Sequence, residues 1–415
     1  MKISFKIARP PRLESKTPIF IGNTIVAYSG SGTIKTMGRV IKIVLFVIIV
    51  KLILFSIIPL AAQKLIPYAG TFAYPDKVNN YHVPSALSVR ANFDGIHYLL
   101  IAENGYTQYQ QAFFPLYPLL IRFVTLLTGG NYLISGLLIS RISFVCGLLL
   151  LTWVIRKTLP KLSYYALFLF MLTFPTSFFF SSVYTEGLFF FMVVSCIYML
   201  QQKKILYASL IAAAASATRF IGIFLVAPIL VTGYPLYFLK KKKWVMLLVF
   251  LIPFIGLVSY MVFLKATTGD PLYFLNVQPA FGAQRSNHII LLPQVYFRYF
   301  KIFFLSRINF QYLIAVLEFV VFNIMLVLTS LELYIQWKRK DSLWIGVGLF
   351  SLFNLILPTL TGTFSSIPRY SLLCISAFIC LARIKSLTVR SVIISIFFVL
   401  QVVLFVFFTQ GYFVS

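Results

Sequence analysis

The feature that leaves this chain the fewest options is a succession of long apolar runs separated by short basic clusters. Between Val40 and Ala62 the only charges are Lys42 and Lys51, and comparable runs recur to the C-terminus. A helix of roughly 20 such residues crosses the hydrocarbon core of a bilayer. Hydrophobic residues make up 60% of the chain and charged residues 11%, whereas a soluble domain carries roughly a quarter charged residues. The solvent for most of this surface is therefore lipid. A length of 415 residues accommodates about ten or more spans and leaves little for a separate soluble domain.

A formal charge of +27 would suit a nucleic-acid partner if the charge were gathered on one face. Most of the 36 lysines and arginines instead sit in clusters at span ends: residues 2–42, 156–161, 203–204, 240–243, 338–340 and 383–390. That is the bias of cytoplasmic loops, so the charge reads as a topology code with some attraction to anionic lipid, and no nucleic acid is expected. Cys146, Cys196, Cys374 and Cys380 fall inside apolar runs without metal-ligand spacing, as packing residues do. The run 40–62 is too long for a cleavable signal peptide and ends poorly for cleavage, so a signal anchor is the better reading.

With a cytoplasmic N-terminus, the basic segment 1–38 precedes one transmembrane domain over 39–415. The first span is 41–61, followed by a large extracytoplasmic loop, 62–130. Within that loop 113–128 is apolar but short and broken by Pro115, Pro118 and Arg122. If it crossed, every later basic cluster would fall outside, so it is expected to lie in the interface or re-enter. The remaining spans are expected near 131–155, 163–181, 184–202, 205–219, 220–239, 244–264, 309–337, 343–360, 368–383 and 390–411. The expected fold is thus an all-α polytopic bundle of about eleven transmembrane helices. A second extracytoplasmic loop covers 265–308.

With nine acids and three histidines in the whole chain, each can be weighed. Asp76, Asp94, Glu103, Glu186 and Asp270 face outside on this topology, as do the histidines, so chemistry belongs to the outer face. The densest polar stretch is 92–106, where Asp94, His97, Tyr98 and Ile101 share one helical face. Asn104-Gly105 is a helix stop. Asp94 reads either as a helix cap with His97 a solvated neighbour, or as a general base above the bilayer. Glu103 points the other way and reads as a rim residue.

The string FDGIHYLLIAENGY, followed by AFFPLYPLLIRF, resembles the first extracytoplasmic loop of the GPI mannosyltransferase 2 (PIG-V) family and its bacterial relatives, members of the GT-C class of membrane glycosyltransferases. FPTSFFFSSVYTEGLFFF, ATRFIG around Arg219 and Pro368-Arg369-Tyr370 resemble later blocks in the same order. Phe93 departs from the pattern, since a Trp commonly precedes the acid there. The resemblance implies a transferase that takes a sugar, typically mannose, from a polyprenyl-phosphate donor, with Asp94 at the position of the catalytic carboxylate. The acceptor would be a hydroxyl of a glycan, glycolipid or protein, and inversion follows from a single in-line displacement. A lipid phosphate is already a weak base, so no second carboxylic acid is needed, unlike in glycosidases.

A departing lipid phosphate needs a cation, and an arginine fork suits its oxygens. Arg219 and Arg369, at outer span ends, are the candidates, with snorkelling at the interface as the alternative. Arg285, Arg298 and His288 in the second loop are less specific. Substrate contacts are expected from His97, Tyr98, Glu186 and His288. Glu186 could orient the acceptor, pair with Arg219, or simply favour a helix start. Lys51, Arg141 and Glu318 fall within spans, where charges are usually paired, and an Arg141–Glu318 pair is the expectation. No ligand cluster compels a metal, though Asp94 and a phosphate could share a divalent cation. The rival reading is a lipid or oligosaccharide transporter, which would show paired repeats and mid-membrane charges. The expected location is a bacterial plasma membrane.

Overall fold

The computed structural model describes residues 19–21, 24–26, 30–68, 72–234, 243–281 and 285–414. Most of the basic segment 1–38 lies outside these residues. The chain divides into two units, Met1–Leu54 and Phe55–Ser415. In the first, the short strands Ile19–Ile21 and Thr24–Val26 pair antiparallel, ahead of the helix Gly30–Leu65, which runs on into the second unit. Everything else described is helical or connecting chain.

Among the described residues, six helical stretches are long and apolar enough to cross a membrane: Phe46–Leu65, Tyr132–Thr158, Val249–Thr268, Phe310–Arg339, Ser342–Thr361 and Leu387–Thr409. Of the other expected spans, 368–383 is broken into Ile367–Tyr370, Ser371–Leu373 and Ile375–Ala382, whereas four overlap shorter apolar helices, Tyr164–Thr173, Glu186–Gln201, Ile205–Ser216 and Phe220–Gly233. The expected pair in 205–239 is one such case. Its first helix stops at Ser216, the chain opens at 217–219, and a 3₁₀ stretch Phe220–Leu225 leads into Val226–Gly233. The freed carbonyl of Ala217 accepts from the Leu116 N–H at 3.0 Å. Non-helical backbone in such a protein must be satisfied by neighbouring protein groups.

The segment 113–128 carries one short helix. Leu116–Thr125 spans ten residues, about 15 Å and half a bilayer core. It buries Tyr117 and Ile121 and exposes Leu119 and Phe123. Leu292–Leu305 in the second loop is built alike, with Val295 and Tyr299 buried and Phe297, Phe300 and Phe304 exposed.

The core of the second unit is unusually aromatic, with Phe170, Phe174, Phe178, Phe179, Phe180 and Phe189 fully buried. Close helix approach depends on small residues, as in membrane proteins generally. Helix Glu186–Gln201 lies against Tyr132–Thr158 at Gly187, where a Cβ would sit 2.3 Å from the Ser140 carbonyl oxygen. Buried polar side chains close the gaps between elements. Asn354 donates to the Tyr370 carbonyl at 2.7 Å, and Gln401 donates to the carbonyls of Leu172 and Phe174, each at 3.2 Å. Arg383 grips Glu332 through two bonds of 2.6 and 2.7 Å. All four cysteines are free, and Cys146 is exposed.

Gly187→Ala should force the two helices apart and cost about 1–3 kcal/mol, the range for overpacking. A lowered thermal midpoint in detergent, with normal insertion, is the expected result.

Candidate active site

Asp94 opens the helix Asp94–Asn104, so its carboxylate sits where the helix dipole favours negative charge. The helix ends at Gly105, whose φ of +83° suits glycine. Phe93, immediately before the acid, has a φ of +57°. A bulky residue there carries strain of about 1–3 kcal/mol and persists only when its surroundings fix it. They do: its ring packs on Phe72, Phe408 and Phe413 at 5.3, 5.8 and 5.6 Å. Asn92 donates to the Phe408 carbonyl at 3.1 Å, and Tyr184 donates to the Asn92 carbonyl at 2.8 Å. The strained step turns Asp94 away from this anchored hub.

Arg369 reaches Asp94 from the far end of the sequence. It lies on the short helix Ile367–Tyr370, tied to the FPT segment by a 2.7 Å bond from Thr176 Oγ1 to the Pro368 carbonyl. Its Nη1 is 2.6 Å from Asp94 Oδ2, and its Nε is 3.4 Å from Glu186 Oε1. Arg219 Nη1 lies 2.6 Å from the same Glu186 oxygen. The four charges form one array, Asp94–Arg369–Glu186–Arg219. Its interior is closed: Glu186 is 2% exposed, Arg369 9% and Arg219 11%. Aromatic faces supply further contacts, Tyr184 and Phe179 against Arg369 and Tyr370 against Arg219 at 4.8 Å. Burial alone would raise the Asp94 carboxyl. The Arg369 charge and hydrogen bond, with Arg285 and His97 further off, outweigh it and hold the group below its ordinary value. Asp94 is ionised at neutral pH.

The array opens on a cavity of about 430 Å³. Asp94, Tyr98, Glu186, Arg219, Arg369 and Arg285 are among its lining residues. Phe114, Phe220, Phe224, Phe274, Leu357 and Leu360 make an apolar wall, and His288 stands at the exposed edge. Arg285 donates to Gln278 at 3.4 Å and to Ser366 at 3.2 Å, and among the described residues it makes no salt bridge. Such a site combines two carboxylates, three guanidiniums and an apolar surface in one space. Among the described residues, no three His, Cys, Asp or Glu side chains group as metal ligands.

Of the residues expected at a site, Asp94, Tyr98, Glu186, Arg219, Arg369 and His288 all line this cavity. His97 does not. Its ring stacks on Phe113 at 5.1 Å and meets the edge of Tyr74 at 5.5 Å, and burial lowers its pKa against the pull of Asp94. The snorkelling alternative for Arg219 and Arg369 is corrected, since both are buried in ion pairs. The Arg141–Glu318 pair is corrected too: Arg141 donates to the Ser181 carbonyl at 3.4 Å, and Glu318 bonds Tyr299 and Ser366. Glu103 accepts from Tyr81 at the surface, as a rim residue does. Asp270 braces its own turn through Leu272 and Asn276. Tyr184 and Tyr370 were not singled out from sequence, although each adjoins a site charge within a motif already marked.

The family model for Mannosyltransferase (PIG-V) matches residues 36–266, more than half of the chain. The chain belongs to this family. No curated protein and no solved structure gives a match. Membership in the PIG-V mannosyltransferases makes the protein a membrane glycosyltransferase with a sugar donor and an acceptor as partners. The matched stretch contains Asp94, Glu186 and Arg219; Arg369 lies beyond it and joins them through the fold.

Glu186→Gln leaves two buried guanidiniums short of compensation and should destabilise the protein by about 3–5 kcal/mol. Glu103→Gln at the surface should stay within about 0.5 kcal/mol. Equilibrium unfolding in detergent distinguishes the two.

Proposed function

We propose that this PIG-V-family protein is an inverting, GT-C-type mannosyltransferase that moves mannose from a polyprenyl-phosphate donor to an acceptor hydroxyl on the extracytoplasmic face of a bacterial plasma membrane. The observation that carries the reading is the meeting of Asp94 with arginines in a cavity that is also lined by apolar side chains. A phosphate esterified to a polyprenyl chain presents those same two surfaces. The N-terminus is cytoplasmic, and about eleven spans put the loop of Asp94 outside, as the basic clusters require.

In this mechanism the donor phosphate binds Arg369 and Arg285, with Arg219 behind them. Phosphate competes with Asp94 for Arg369, so the carboxylate is released as the donor enters. Asp94 then takes the acceptor hydroxyl proton while the oxygen attacks the anomeric carbon. The bond from that carbon to the phosphate oxygen breaks, and polyprenyl phosphate leaves with the electron pair. Three guanidiniums against two carboxylates leave one excess positive charge, matching a monoanionic phosphodiester. Protonation of Asp94 raises the excess to two, matching the dianionic monoester product. The array is therefore near neutrality at both ends of the reaction. Arg and lipid phosphate are matched in geometry as well as charge. A divalent cation shared by Asp94 and the phosphate is compatible with this scheme and no step depends on it.

Purified protein in liposomes, given labelled polyprenyl-phosphate mannose and candidate acceptors, should transfer label. Asp94→Asn should lower kcat by about 10²–10⁴-fold, the usual worth of a positioned base, and retain donor binding. Full activity in that variant would remove Asp94 from the chemistry. The pH profile gives a second check. Asp94 acts ionised, and in the free enzyme its pKa is depressed, so kcat/KM should fall only below the ordinary carboxylate value of about 4. In the donor complex Arg369 is shared with phosphate, so the acid limb of kcat should lie at higher pH than that of kcat/KM. Arg369→Gln should move the kcat/KM limb upward as well.

A further inference from the structure

Glu318 is a buried carboxylate inside the helix Phe310–Arg339 that does not line the cavity. Its Oε2 accepts from the Tyr299 hydroxyl at 2.7 Å, and its Oε1 accepts from the Ser366 N–H at 3.3 Å. The Tyr299 oxygen in turn accepts from the Phe364 N–H at 3.0 Å. Arg298, the residue beside Tyr299, donates to the Gly362 carbonyl at 3.1 Å. Residues 362–366 are thus held from two sides, by a transmembrane helix and by the amphipathic helix Leu292–Leu305.

The segment needs holding. Gly362 and Ser366 have φ of +94° and +65°, and Ser366 is a residue that adopts this region at a cost. Its carbonyl accepts from the N–H groups of Arg369 and Tyr370, both at 3.0 Å, so the turn fixes where Arg369 emerges. Its hydroxyl accepts from Arg285 at 3.2 Å. The two arginines that face the cavity from this side therefore share one anchor, Ser366, and Ser366 is pinned by Glu318.

We propose that Glu318, acting with Tyr299, is a positioning residue that sets Arg285 and Arg369 for the donor phosphate by clamping the turn 362–366. The claim rests on the reading of those arginines as the phosphate site. A carboxylate is required because it offers two acceptors to two donors. An amide keeps one acceptor and turns an N–H₂ group toward one of the donors. The clamp also joins the membrane-facing helix Leu292–Leu305 to the site through Tyr299.

The test compares wild type, Glu318→Gln and Tyr299→Phe, each as the full chain in the same liposomes. It reads donor KM and kcat with polyprenyl-phosphate mannose, and separately the Kd for polyprenyl phosphate. The expected result is a rise of about ten-fold in donor KM and in Kd, the loss typical of one hydrogen bond to a charged group, with kcat within about two-fold. An unchanged KM and Kd, or a fall in kcat alone as from a smaller folded fraction, overturns the positioning role. If Glu318→Gln does not fold, Tyr299→Phe decides, since it deletes one hydroxyl and leaves the carboxylate in place. Absence of sugar transfer by wild type would count against the proposed reaction, and the Kd comparison would still decide the role of Glu318.

Discussion

The structure is organised around a buried ion array in which two carboxylates and two guanidiniums alternate over three contacts of 2.6, 3.4 and 2.6 Å. In surroundings this apolar an isolated charge costs several kcal/mol, and removing one partner exposes the cost of the other. The array therefore obliges four separate pieces of chain to meet: the first-loop helix, the helix at Glu186, the break at 217–219 and the turn before Arg369. Each piece arrives where regular helix stops. Irregular backbone in a membrane protein is tolerated where it is packed in protein or lines a cavity, and here it does both.

The same arrangement suits the proposed reaction between a lipid-linked sugar and an acceptor hydroxyl. In the free protein the Asp94 carboxylate is ionised but occupied by Arg369. An incoming phosphate that takes Arg369 would free the base at the moment a donor is present. In the proposed reaction, base and donor would thereby be coupled through one side chain. The aromatic lining would then offer a polyprenyl chain a surface to lie on, and the strained Phe93 step sets Asp94 at the cavity.

Much of this was legible in the sequence, and for definite reasons. Apolar runs and basic clusters carry membrane identity locally, and the short proline-broken segment 113–128 announces a helix that cannot span. Asp94 stands out because acids are so few. What sequence could not supply is pairing over distance. Arg369 and Asp94 are 275 residues apart, and Arg219 and Glu186 are 33 apart across two helices and the turn between them. A guess that joined Arg141 to Glu318 matched charges within the bilayer and missed that a tyrosine hydroxyl and a backbone N–H satisfy Glu318 instead. His97 shared a helical face with Asp94, yet the neighbouring rings of Tyr74 and Phe113 claim it. Periodicity gives the face; packing decides what the face meets.

In the proposed reaction the donor phosphate takes its place among the arginines beside Asp94. A structure of the protein with polyprenyl-phosphate mannose bound tests it most directly. The account predicts phosphate oxygens in hydrogen-bond contact with Arg369 and Arg285, Asp94 released from Arg369, and space for an acceptor oxygen about 3–3.5 Å from the anomeric carbon on the Asp94 side. A donor whose phosphate sits away from these arginines, with the Asp94–Arg369 pair intact, would contradict it.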